Sequence, residues 1–147
     1  MNKILLVFIS VVIILVLGGF LYAFYNSSKP IVEIKGHSFQ VELARTDKEK
    51  QIGLSKYTKS IPQDNGMLFI FDKPGFYSFW MKDMKFPIDI IFINQNKIVT
   101  IYQNVPVKKL TIYSPATASD KVLEINANLS KKYGFSAGDL VTFKNIK

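Results

Sequence analysis

The chain has 147 residues, 48% of them hydrophobic, and a formal net charge of +8 at pH 7. This length fits one ordinary domain, and the apolar content excludes a wholly disordered polymer. The chain has no cysteine, which excludes disulfides, thiolate metal sites and the attachment of a lipid to cysteine. Any folded domain must therefore be held together by packing alone.

The N-terminal segment is a long apolar run. Residues Ile4 to Tyr25 contain no charge, and a helix of that length spans about 33 Å, which is enough to cross a bilayer. A cleaved signal peptide is the alternative, but its apolar part usually extends over about 7 to 15 residues, and no small-x-small cleavage site follows here. We therefore predict a short cytoplasmic tail at residues 1–3 and a single uncleaved transmembrane helix, a signal-anchor, at residues 4–25.

The charges that flank this helix give little information on its orientation. Lys3 lies on one side, and Lys29 and Lys35 lie on the other, so the basic asymmetry that sets topology is weak. We favour a single-pass protein of the cell membrane in which a linker at residues 26–30 leads to an extracytoplasmic domain at residues 31–147. The bilayer is then the expected partner of the helix.

The basic charge of the domain is dispersed. Residues 30–147 carry 17 of the 19 basic residues and all 11 acidic ones, so the formal charge of this part is 17 − 11 = +6. The lysines are spread along the chain, and no nucleic-acid-binding motif accompanies them. We therefore expect no nucleic-acid partner, and only weak attraction to anionic lipid or wall polymer.

Short strand patterns begin after the linker. IVEIK and SFQVELA flank Gly36 and His37, which predicts two strands joined by a tight turn. The period then changes, and Thr46 followed by Glu49 has the form of a capping box. A short helix is expected to start there and to run to about Gly53.

Two hairpins are predicted in the middle of the chain. The first joins GMLFIF to FYSFWM through a type II turn at residues 73–76, with glycine supplying the positive φ. The second joins DIIFIN to KIVTIYQ about Gln95 and Asn96. Together these segments are expected to form a meander of four strands.

The remaining elements complete a mainly β (α+β) pattern. The segment from Val105 to Asp120 contains two prolines and is predicted to be mostly loop. VLEIN and LVTFK are predicted strands, separated by a helical turn that Gly134 ends. We predict a small closed or partly closed β-barrel of about seven to nine short strands, with one or two short helices, preceded by the single transmembrane helix.

Five segments resemble domain-of-unknown-function family 192 of bacteria and archaea. They are LARTDKEKQIGL, GMLFIF, FWMKDMKFPIDIIFI, VLEINA and GFSAGDLVTF, and they extend over nearly all of the predicted domain. The resemblance implies a compact β-rich domain, often behind a signal peptide or membrane anchor, with no established biochemical activity. The chain departs from the family pattern at Ser55, at Asp83 and Met84, and at Asn96. A function must therefore be argued from the site itself.

Two acidic residues lie within apolar strands. Alternation places Asp89 on one face of IDIIFI with isoleucines, and it places Glu124 on one face of VLEIN with valine and asparagine. A buried carboxylate is costly unless it is paired. Lys82, Lys85 and Arg45 are the candidate cationic partners, with backbone amides near Pro87 as the alternative.

We expect these groups to meet at one end of the barrel. One hypothesis is a structural polar network that fixes the strand ends. Another is a small ligand pocket in which Trp80, Lys82, Asp89, Glu124 and Arg45 are the binding residues. A third is hydrolysis by the two carboxyls as acid and base, for which the sequence gives no separation. No nucleophile motif or cofactor loop is recognisable, so no catalytic residue and no cofactor is predicted.

The histidine, methionine and aromatic residues are assigned structural roles. His37 is expected in an exposed turn. Met67, Met81 and Met84 have the chemistry of a thioether copper site, but core packing is preferred and no metal site is predicted. The aromatic residues of FYSFW are expected to be buried on both faces of their strand, in preference to forming a carbohydrate platform.

These observations favour a non-enzymatic module over an enzyme. The predicted function is the binding of a small ligand, an envelope polymer or a partner protein by a membrane-anchored extracytoplasmic domain. The alternative is a carboxylate-dependent hydrolase that acts on an envelope component.

Overall fold

A computed structural model describes residues 3–27, 29–108 and 111–146, and the side chains of residues 4–6 and 23–27 lie outside this description. It consists of an N-terminal helix followed by a β-rich domain.

The N-terminal helix, α1, extends over Lys3–Ser27. Most of its described side chains, at residues 7–22, are exposed and apolar. Within the described residues, no helix is long and apolar enough to cross a membrane. Most of the predicted tail at residues 1–3 lies outside the described part of the chain.

The domain is built mainly of short strands. The described residues form nine of them, which lies within the predicted range of about seven to nine. In chain order the elements are β1 Ile31–Ile34, β2 His37–Ala44, α2 Asp47–Ile52, a 3-10 helix Gly53–Lys56, β3 Asn65–Gly75, β4 Phe79–Trp80, β5 Ile88–Asn94, β6 Lys97–Val105, β7 Ile112–Tyr113, β8 Ser119–Asn126, α3 Leu129–Lys132 and β9 Val141–Lys144.

Seven strands form one curled sheet in the order β6-β5-β8-β3-β2-β1-β9, and β4 and β7 form a separate pair. The two edges of the sheet approach each other at one end. There the amide of Ile98 donates to the carbonyl of Asp139 at 3.0 Å, and the amide of Val141 donates to that of Asn96 at 2.9 Å. The sheet is therefore a partly closed barrel, which confirms the predicted architecture of the domain.

Strand β3 occupies the middle of the sheet. It pairs in parallel with β2 and antiparallel with β8, so both of its edges are taken. The predicted hairpin with FYSFWM and the four-stranded meander are therefore wrong, and Gly75 lacks the positive φ that a type II turn requires. Parallel neighbours need a crossover, and α2 with the 3-10 helix supplies it.

Residues 76–87, the crossing segment, pass over the outer face of the sheet. The ring of Tyr77 stacks on Phe71 with centroids 3.6 Å apart. The ring of Phe79 meets Phe69 edge-on at 4.9 Å. The segment thus returns along β3 through aromatic packing, without joining the hydrogen-bonded ladder.

The sheet separates two hydrophobic cores. The inner core lies within the curl and includes Val32, Phe39, Leu68, Ile91, Ile98, Leu123, Ile125, Leu129 and Val141. The outer core lies between the sheet and the crossing segment and includes Leu54, Met67, Phe69, Met81, Met84, Ile88, Ile90, Phe92 and Val122. The three methionines considered for copper all belong to the outer core, as the core-packing interpretation predicted.

Most of the predictions made from local sequence patterns are confirmed. The amide of Glu49 donates to the hydroxyl of Thr46 at 3.3 Å, and the amide of Thr46 donates to the carboxylate of Glu49 at 2.9 Å, which completes the capping box. The β5–β6 hairpin turns at Gln95, whose φ is +55°. His37 differs from its prediction, because it begins β2 and its half-buried ring stacks on Tyr133 at 3.8 Å.

Candidate functional site

Asp89 is fully buried in β5. Its carboxylate accepts hydrogen bonds from the backbone amides of Asn104 at 2.7 Å, Asn128 at 2.9 Å and Ser130 at 2.7 Å. Within the described part of the chain, none of the ion pairs includes Asp89. The predicted pairing with a lysine or arginine is therefore wrong, and three amides take the place of the cation.

The amides that bind Asp89 come from two distant segments. Asn104 lies near the end of β6, and the other two donors lie at the start of α3. The alternative prediction of backbone amides as partners is therefore confirmed, although these amides belong to segments distant in sequence from Pro87. One carboxylate thereby holds β5, β6 and α3 together. This is the geometry of a structural network.

Glu124 lies on the opposite face of the sheet. It stands opposite Ile90 of β5 and Met67 of β3, which belong to the outer core. Asp89 stands opposite Ile125, which belongs to the inner core. The sheet separates the two carboxyls, so the prediction that they meet at one end of the barrel is wrong.

The Glu124 carboxyl is buried without a polar partner. The residue is 5% exposed, and among the described residues none donates a hydrogen bond to its carboxyl or pairs with it. Burial away from water raises the pKa of Glu124 to about 8. At neutral pH the carboxyl is therefore mostly protonated, with an O–H that donates and a carbonyl oxygen that accepts.

A cleft opens from Glu124 to the surface between α2 and the crossing segment, and we call it the Trp80 cleft. Its floor is a pocket of about 30 Å³ whose walls include Leu54, Phe69, Trp80, Lys82, Met84 and Glu124. Its outer part measures about 460 Å³ and is lined by Gln51, Ile52, Ser55, Trp80, Lys82 and Asp83. The two parts share several wall residues, so they form one continuous cleft.

A groove continues past the other edge of the cleft. It measures about 360 Å³, and Gln51 and Trp80 line it together with Asp47, Lys50, Phe71 and residues 77–79. Because Gln51 and Trp80 also line the Trp80 cleft, the groove and the cleft adjoin each other at the indole.

Trp80 presents its side chain to solvent. The residue is 57% exposed, although its backbone is fixed in β4, where it pairs with Ile112 of β7. The ammonium of Lys82 lies 5.5 Å from the centroid of the ring. Phe76, in the same segment, is 68% exposed. The prediction that both faces of FYSFW are buried is therefore wrong, because one face packs on the outer core and the other is open.

The structure brings together three of the five predicted binding residues. Trp80, Lys82 and Glu124 line the same pocket. Asp89 lies across the sheet, and Arg45 is absent from the lining of the cleft. The backbone amide of Arg45 donates to Glu49 at 2.9 Å, at the start of α2.

The α2 crossover supplies wall residues that the sequence analysis missed. Gln51 and Ser55 line the outer part of the cleft. Gly53 ends α2 with a φ of +51°, and a β-carbon there would lie 3.3 Å from the ring of Phe69, so glycine allows the crossover to lie close over the outer core. The capping box located the helix, but no sequence signal placed it above Glu124.

Two other features were considered as sites. Within the described residues, no group of three or more histidine or acidic side chains is arranged to hold a metal ion. A concave surface of about 370 Å³ along α1 is lined by Lys3, Val7, Phe8 and Val11. All four belong to the exposed surface of one helix and bring no convergent polar groups, so we assign it no ligand.

The chain resembles one family and several solved structures. The family model DUF192, described as an uncharacterized ACR, matches residues 30–143. A protein of unknown function from Novosphingobium aromaticivorans is 34% identical, with 78% of this chain and 83% of that protein covered and a TM-score of 0.70. A proposed transcription regulator from Sinorhizobium meliloti is 30% identical, with 80% and 95% covered and a TM-score of 0.74. No match was found among curated proteins.

Proposed function

The chain belongs to the family DUF192, and from this premise and the geometry of the Trp80 cleft we propose that its β-rich domain is a non-enzymatic ligand-binding module. One observation carries the proposal. The carboxyl of Glu124, buried and without a described partner, lies at the floor of a cleft whose wall includes the exposed ring of Trp80. A concave site in which a few polar groups converge beside an aromatic ring is typical of ligand binding.

The contrast with Asp89 supports this interpretation. Asp89 is satisfied by three amides, as expected of a group kept for stability. Glu124 has no protein partner among the described residues, and its carboxyl lines a cleft that opens to the surface. A ligand in the cleft could therefore hydrogen-bond the carboxyl directly.

The alternative function is a carboxylate-dependent hydrolase acting on an envelope component. Asp89 and Glu124 cannot act together across the sheet, so the second carboxyl would have to be Asp83, which lines the outer part of the cleft. A protonated Glu124 has the chemistry of a general acid. Binding is preferred because only one carboxyl lies at the floor.

The proposal predicts that Trp80→Ala removes binding while leaving the domain folded. Because the side chain is largely exposed, its loss should change the free energy of unfolding by less than about 1 kcal/mol. We would measure the thermal unfolding of the full chain in detergent against envelope sugars, lipids and metal ions. A compound that binds in the cleft should raise the unfolding temperature of the wild type but not that of Trp80→Ala.

Phe76→Ala is the matched control for this experiment. Phe76 is an exposed aromatic residue of the same crossing segment but lies outside the lining of the cleft and the groove. This variant should respond to ligands as the wild type does. If every stabilising compound acts equally on Trp80→Ala, or if none stabilises the wild type, the proposal is wrong.

We also propose that α1 anchors the domain at the cell membrane, with residues 31–147 outside the cytoplasm. The exposed apolar side chains at residues 7–22 and the uncharged run at residues 4–25 support this location. Deleting residues 4–25 should move the chain from the membrane fraction to the soluble fraction of fractionated cells. Recovery of the undeleted chain in the soluble fraction would contradict the anchor.

A further inference from the structure

We propose that the ligand of the Trp80 cleft is an oligosaccharide of uncharged hexose or N-acetylhexosamine units, bound with one ring against Trp80 and one hydroxyl at Glu124. This inference rests on the proposed function and names the chemical class of its ligand. Four features of the cleft support it: the size of the floor, the open indole, the balance of charge and the extension past the indole.

The floor of the cleft accepts a hydroxyl group. Its volume of about 30 Å³ is close to the volume that one molecule occupies in liquid water. The floor therefore has room for a single hydroxyl. A protonated carboxyl both donates and accepts hydrogen bonds, and a hydroxyl does the same, so Glu124 and a sugar hydroxyl can satisfy each other.

The indole of Trp80 provides a platform for a ring. A hexose has apolar C–H faces, and aromatic side chains pack against such surfaces while neighbouring polar groups bind the hydroxyls. Trp80 lines both the floor pocket and the outer cleft. A ring placed against the indole would therefore have a hydroxyl within reach of Glu124.

The charges around the indole favour a neutral ligand. Lys82 and Asp83 line the outer cleft, Lys50 and Asp47 line the adjoining groove, and both lysines also line the floor beside Glu124. Over the cleft and the groove together, two cations are balanced by two anions, so the surface as a whole offers no excess of positive charge to a phosphate or carboxylate. Mixed donors and acceptors of this kind suit a ligand with many hydroxyls.

The surface extends beyond a single ring. The outer cleft of about 460 Å³ and the groove of about 360 Å³ adjoin each other at Trp80. Each lies in the range of roughly 300–1,000 Å³ that is typical of a drug-sized ligand. A chain of sugars that extends from one space into the other past the indole would use both.

The intrinsic fluorescence of Trp80 tests this inference directly, because it is the only tryptophan in the chain. We would titrate the full chain at pH 7 in a zwitterionic detergent, since detergents with sugar headgroups would compete. The probes are the β-linked N-acetylglucosamine trimer, the β-linked glucose trimer and the α-linked glucose trimer. At least one trimer should give a saturable change in fluorescence.

Two variants of Glu124 separate the hydroxyl contact from nonspecific quenching. Glu124→Gln keeps a donor and an acceptor at the floor, so its dissociation constant should stay within about threefold of the wild-type value. Glu124→Leu has neither, and it should bind at least about tenfold more weakly, which corresponds to the loss of one hydrogen bond. Equal binding by Glu124→Leu would overturn the contact at the floor.

Control probes distinguish failure of the sugar class from failure of the site. Glycerol phosphate and the trialanine and trilysine peptides would be titrated in the same way. If only one of these gives a saturable change that depends on Glu124, the cleft binds a ligand but the saccharide inference is overturned. If no probe changes the fluorescence, both the saccharide inference and the proposed function are wrong. Shortened trimers detected by mass spectrometry would support the saccharide class and overturn the non-enzymatic function.

Discussion

Replacing Asp89 by alanine is expected to lower the free energy of unfolding by about 4 kcal/mol or more. The substitution leaves the amides of Asn104, Asn128 and Ser130 without their acceptor, and each unsatisfied buried donor costs about 1–3 kcal/mol. It also opens a cavity in the inner core. Urea denaturation of the full chain in detergent, followed by tryptophan fluorescence, would measure the change.

Two further aspartate variants make the Asp89 prediction specific. Asp89→Asn keeps one acceptor oxygen but turns an amide nitrogen toward the backbone donors, so it should lose about half as much stability. Asp72→Ala removes an exposed carboxylate from β3 and should change stability by less than about 0.5 kcal/mol. An Asp89→Ala protein as stable as Asp72→Ala would show that the amide network does not hold the fold.

The stability of the wild type is expected to decline between pH 4.5 and pH 8, and Glu124→Gln is expected to remove most of this decline. The pKa of Glu124 is about 8 in the folded chain because of burial, against an ordinary value of 4.5. Between these values the unfolded chain has released the proton and the folded chain has kept it, so stability falls as the pH rises and reaches its lower level above pH 8. The full difference is on the order of 5 kcal/mol.

Denaturation at pH 4.5, 7 and 9 would measure the effect of Glu124→Gln. The variant should match the wild type at the lowest pH and exceed its stability by a few kcal/mol at the highest. Glu33→Gln is a control of opposite sign, because a hydrogen bond from Lys144 lowers the pKa of Glu33. Its effect should be lost as the pH falls below about 4.5, so this control is also measured at pH 3. Parallel stability curves for the wild type and Glu124→Gln would contradict the assigned pKa.

Alternation along single strands was predictable because it is a local property. The sequence correctly divided IDIIFI so that Asp89 lies on one face, and VLEIN so that Glu124 lies with Val122. The relation between the two strands depends on their register, and Ile90 stands opposite Glu124. No feature within either segment encodes that pairing, so the two carboxyls were wrongly placed together.

The partners of β3 were not predictable for a related reason. A Pro-Gly pair between two apolar runs is the usual signal for a hairpin, and the aromatic residues after it do return along β3. The return is made by stacking of Tyr77 on Phe71. The hydrogen bonds of β3 are made with β2 and β8, which occupy both of its edges. This arrangement depends on the order of all the strands in the sheet.

The wall residues of the site were also not predictable from local sequence patterns. Gln51 and Ser55 are polar residues of a short helical crossover, and the apolar alternation used to find strands gives no signal for them. Trp80 was expected to be buried because its segment is so aromatic. Its exposure follows from the fold, since the crossing segment has the outer core beneath it and solvent above.

The proposed function depends on a Glu124 carboxyl that is neutral at pH 7 and open to the Trp80 cleft. Carbon-13 NMR of the chain labelled at its glutamate carboxyl carbons measures both properties, and Glu124→Gln identifies the resonance. We expect a titration midpoint of about 8, and a shift of this resonance when a bound trimer fills the cleft. A midpoint near 4.5, or a resonance that no ligand of the domain affects, would show that the proposal is wrong.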